Sequence, residues 1–123
     1  MSSPHEMSFN SLPTINRYVL VIEPTKVFLE WARKFPDEDP TLTLEELLED
    51  TSAYLMPQID LDPDSWLAQN FRTIFEIELS DWCVDPTLWP KDRSFKSFKE
   101  FFSVRFCSIV IDMGEGPIKR EYI

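Results

Sequence analysis

Ten prolines stand against two glycines in this chain of 123 residues, and that imbalance limits what it can build. Each proline fixes its own φ and removes a backbone donor, so it ends helices and marks corners. With few glycines, few positions can adopt positive φ without strain. Glycine-rich loops that cradle phosphate are excluded. Gly114 and Gly116 lie in Met-Gly-Glu-Gly-Pro near the C-terminus, with no helix pattern after them.

Between the prolines the hydrophobic period alternates between two and 3.6. The run Tyr18-Val19-Leu20-Val21-Ile22 is apolar on both alternating faces, as a central strand is. Thr25 caps a helix carrying Val27, Phe28, Trp31, Ala32 and Phe35, which Pro36 stops. Thr43-Leu44-Glu45-Glu46 reads as a capping box, with Leu42 and Leu47 placed as a hydrophobic staple. Ala53 to Met56 reads as a second strand, and Pro57 assigns it to a sheet edge. Asp62-Pro63-Asp64 opens the longest helix, with Leu67, Phe71, Ile74, Phe75, Leu79 and Trp82 on one face. Ser94 or Ser97 caps a last short helix, Ser97 with Glu100 forming a second box. From Phe102 to Ile111 the period returns to two.

This order predicts an α+β fold: a small, mostly antiparallel sheet of about three strands, with one long and several short helices packed on it. The first and last strands are expected to be antiparallel neighbours. Residues 1–13 are small and polar and read as a flexible arm. Residues 14–123 read as one domain with a short C-terminal tail. Hydrophobic residues at 43%, with ten Phe, four Trp and three Tyr, supply an ample core. Where strands are apolar on two faces, a spare sheet face calls for a cover, either the short helices or a second copy of the chain.

The net charge of −10 argues against nucleic acid or an anionic membrane as partner. No run is long enough to span a bilayer, and residues 1–8 lack the basic and apolar regions of an export signal, so the expected location is the cytoplasm. Two cysteines cannot make a disulfide scaffold. Cys107 is expected to be a small buried hydrophobe, and both thiols to be reduced.

Three constellations bear on chemistry. Asp60, Asp62 and Asp64 have the spacing that opens a calcium loop. That loop needs glycine at its sixth position and glutamate at its twelfth, where this chain has Ser65 and Phe71. A helix cap explains the same residues. Trp66, Trp82 and Trp89, near Asp64, Asp81 and Asp85, could form a sugar-stacking platform, but core anchoring is the commoner fate of such rings. The strongest feature is the segment from Asp37 to Asn70, which holds ten carboxylates and no Lys or Arg, whereas Lys91 to Arg105 holds five basic residues and two acids. A solvated acidic face is the plain explanation. The functional one is a surface for a basic protein, centred on Glu45, Glu46, Glu49, Asp50, Tyr54, Asp62 and Trp66.

Catalysis has little support, because the one histidine, His5, lies in the arm. Glu23, Glu78 and Asp112 sit at or within apolar patterns. The alternative to a protein-binding module is therefore a small ligand-binding domain or enzyme using Glu78 or Asp112 in an apolar pocket. No catalytic, metal or cofactor residue is assigned.

Four stretches, Asn16-Arg17-Tyr18-Val19-Leu20-Val21-Ile22, Thr43 to Leu47, Ile74 to Trp82, and Leu88 to Arg93, carry a resemblance to a family of small uncharacterised bacterial proteins. It covers about residues 15–113 and brings no activity with it. The Trp-Pro-containing acidic pattern is similar in style to bacterial immunity proteins that block toxins, which implies an inhibitor.

Overall fold

The computed structural model describes residues 12–36, 39–58 and 62–122. Most of the expected arm, together with Asp37, Glu38 and Asp60, lies outside these residues.

The chain forms a three-stranded antiparallel sheet with helices on one face. The elements run β1 (Arg17–Pro24), α1 (Lys26–Ala32), α2 (Leu44–Leu48), β2 (Ser52–Pro57), α3 (Pro63–Trp82), a 3-10 turn (Pro86–Leu88), α4 (Phe95–Phe101) and β3 (Phe102–Cys107). The strand order is β2-β1-β3, so the apolar first strand is central and the proline-terminated second strand lies at an edge. Leu20 pairs with Tyr54 on one side and with Phe106 on the other.

The helix starts follow from their caps. Thr25 accepts from the Val27 amide, and its hydroxyl also donates to the Phe101 carbonyl at 3.0 Å, tying the start of α1 to the end of α4. Thr43 accepts from the Glu46 amide at 3.3 Å, as the capping pattern requires. Asp62 accepts from the amide and hydroxyl of Ser65 at 3.0 and 2.6 Å, so this residue is spent on the start of α3. At α4 the cap is Ser94, not Ser97. Ser97 is buried in the first turn, and its amide donates to Ser94. Helix α1 ends at Ala32, short of Phe35. The residue before a proline disfavours helical geometry, and Arg33 turns out to donate to the Leu42 carbonyl.

Side-chain alternation then assigns the two sheet faces. Leu20, Ile22, Met56 and Phe102 point into the core with Phe28, Trp31, Phe71, Phe75, Phe98 and Phe101 from the helices. The opposite face carries Val19, Val21, Ala53, Leu55, Arg105 and Cys107, and no described helix covers it. Cys107 is consequently exposed, which corrects its expected burial. Its strand pattern was apolar, but alternation cannot tell which face the helices choose. Glu23 on this face pairs with Arg105 at 2.8 Å.

The third strand is shorter than expected because its ladder breaks after Cys107. Pairing resumes with a bridge between Thr14 and Ile111. Five steps separate Thr14 from Val19 but four separate Cys107 from Ile111, so the two stretches are out of step by one residue, as a bulge produces.

Candidate functional site

The cleft between α2, the start of β2 and the last turns of α3 gathers five carboxylates. Glu46 comes from α2, Glu49 and Asp50 from its C-terminal end, and Glu78 and Asp81 from α3. Positions 78 and 81 are three apart, so both project from one helix face. The cleft has a volume of about 660 Å³, and among the described residues its walls hold no Lys, Arg or His. Ile22, Phe28, Leu42, Leu47, Trp82 and Phe102 supply its apolar surface.

Nothing in the described chain neutralises these acids. The ion pairs among the described residues join Lys99 to Asp64 and Arg105 to Glu23, both away from the cleft. Nor do three of the acids come close enough to hold a metal ion, among the described residues.

Glu78 differs from the other four. Burial pushes its carboxyl above the ordinary 4.5, and nearby Asp81 adds to the rise, while hydrogen bonds from Tyr54 and Ser52 oppose it. The Tyr54 hydroxyl donates to Glu78 Oε2 at 2.5 Å, and burial together with this carboxylate holds the phenol well above its usual range. Folded protein thus binds a proton at Glu78 more tightly than unfolded chain does. The resulting stabilisation is complete below about pH 4.5 and is lost as the pH rises through the raised folded value. Glu78→Gln keeps an acceptor for Tyr54 and removes the titration. Its urea midpoint, relative to that of the parent, is expected to improve between pH 4 and pH 7; an offset independent of pH would contradict this assignment.

The structure therefore joins the two expected sites in part. Glu46, Glu49, Asp50 and the supposed alternative residue Glu78 line one cleft, and Tyr54 supports it from β2. Glu45 is exposed on α2 without lining the cleft. Asp62 caps α3, and Trp66 packs against the core. Asp112 accepts from the Gly114 amide at 2.9 Å and takes no part in the cleft. The aromatic platform is not assembled, since Trp66, Trp82 and Trp89 each pack against the core. Trp89 donates to the Cys83 carbonyl at 2.7 Å, whereas the buried Trp82 indole nitrogen has no hydrogen-bond partner among the described residues. Sequence reasoning missed Asp81 as a member of the acidic group. Its one available signal was the three-residue spacing from Glu78.

No protein-family model matches the chain, and no curated protein or solved structure matches it either.

Proposed function

We propose that the chain is a non-catalytic binding module, inhibitor-like in the manner of immunity proteins, that receives a basic protein partner in its acidic cleft. The observation that carries this reading is the convergence of five carboxylates, unpaired by any cation among the described residues, over an apolar wall. A lysine or arginine side chain matches both features. Its methylenes would lie against Leu42, Leu47 and Trp82 while its charged end meets the acids. Uncompensated charge of one sign in a concave site also accelerates encounter with the opposite sign.

The test is a calorimetric titration with a lysine- and arginine-rich peptide at low and high salt. Saturable binding that weakens steeply with salt supports the module. Equal binding at both salts, or binding unaffected by changes at Glu46 and Glu49, overturns it. A second reading rests on the half-buried position of Glu78 beside the apolar wall of the same cleft: a small cationic ligand, such as a free amine. Saturation by an alkylamine at concentrations where the peptide does not bind would favour that reading.

The uncovered sheet face, with Val19, Val21, Ala53 and Leu55, is the surface on which a second copy would pack in a homodimer. Sedimentation equilibrium is expected to give twice the 14.5 kDa of one chain, and a monomer mass would remove the dimer from the proposal.

A further inference from the structure

A second cavity, separate from the acidic cleft, has the opposite charge. Arg72, Phe75, Glu76, Lys91, Arg93 and Ser94 enclose about 380 Å³. Arg72 and Glu76 come from α3, and the other polar groups from the Lys91–Ser94 loop that precedes α4. In a chain with 22 acidic residues, cations have abundant partners. Yet none of these three forms an ion pair among the described residues. Glu76 offsets only part of this positive charge, and an anion in the cavity would offset the rest.

The loop is also held in place. Arg93 donates to the Pro90 carbonyl at 2.8 Å, and its guanidinium lies 5.8 Å from the centre of the Trp89 ring. Trp89 is in turn anchored through its indole to the Cys83 carbonyl. A guanidinium fixed by such contacts pays less entropy when it binds, and the planar fork suits the oxygens of a phosphate.

We propose that this cavity binds a phosphate monoester. Three cations less the Glu76 carboxylate leave a formal charge of about +2, which matches the roughly −1.5 to −2 of a phosphate monoester at neutral pH. Phe75 lies beneath these groups, buried in the core, and forms the floor of the cavity. Recognition here uses side chains throughout, consistent with a chain that lacks glycine cradles.

The test is a nuclear magnetic resonance titration of the intact protein with inorganic phosphate, with acetate at matched ionic strength as the monoanion control. Saturable shifts are expected at the Arg72 and Arg93 side chains and at the backbone of residues 91–94. Arg72→Gln and Lys91→Gln remove exposed side chains that make no hydrogen bond among the described residues, and each should weaken phosphate binding about tenfold. Glucose 6-phosphate and a phosphoserine peptide then separate the sources: tighter binding of either one than of inorganic phosphate supports the site and identifies the carrier. Shifts that do not saturate, that acetate reproduces, or that both variants leave unchanged would overturn the proposal.

Discussion

Phe98→Ala is expected to destabilise the protein by about 3–5 kcal/mol, the range for removing a buried aromatic ring. Phe98 is 0% exposed, and its ring lies 5.3 Å from that of Phe102, 5.5 Å from Phe75 and 5.9 Å from Phe71, centre to centre. It is therefore the joint between α3, α4 and β3. Surrounding rings are rigid and cannot collapse into the space, which places the cost toward the upper end. With total stabilities of about 5–15 kcal/mol, such a loss brings a domain of this size close to unfolding. Urea denaturation followed by tryptophan fluorescence measures it directly. A loss below about 1 kcal/mol would show that Phe98 is not the packing centre.

The second large effect concerns binding. Reversing Glu46 and Glu49 together to lysine is expected to weaken the basic peptide about 100-fold at low salt and to flatten the salt dependence. Both side chains are exposed, but Glu46 also accepts from the Thr43 hydroxyl at 3.2 Å in the first turn of α2, so the double variant should fold with a loss of about 1 kcal/mol. Each reversal removes an attraction and introduces a repulsion into the same cleft, which is why the effect exceeds that of neutralisation. The same pair of changes at Glu45 and Glu30, which are exposed and outside the cleft, should cost far less. Equal losses from the two pairs would mean that only net charge matters, and the cleft would lose its special role.

Much of the architecture could be read from local chemistry. Thr25, Thr43 and Asp62 announce three helix starts because capping needs only a hydroxyl or carboxylate and the amides two or three residues on. Pro57 placed β2 at an edge because its missing donor cannot face a neighbouring strand. The sequence left alternatives open where one local pattern had two solutions. Ser94 and Ser97 both satisfy a capping rule, and the packing of Phe98 and Phe101 decides between them.

The candidate site was legible in its ingredients and not in its assembly. Glu46 and Glu78 are 32 positions apart, and they line one cleft because β2, paired to β1, brings α2 and α3 together. The basic cavity was less legible still, since Arg72 precedes Lys91 by 19 positions and sits on a helix full of other charges. Sequence proximity also misled: Asp62 and Trp66 belong to the acidic stretch, yet the cap and the core take them away from the cleft.

The central place of β1 has a consequence for synthesis on the ribosome. Its first partner, β2, follows within a few dozen residues, but its second partner begins only at Phe102. At roughly 5–20 residues per second, several seconds pass between the emergence of the two partners. During that interval Phe98, Phe101 and Phe102 are not yet available to shield Leu20 and Ile22. The apolar central strand is thus made before the last part of its cover, and the growing chain exposes more apolar surface in that window than the finished protein does.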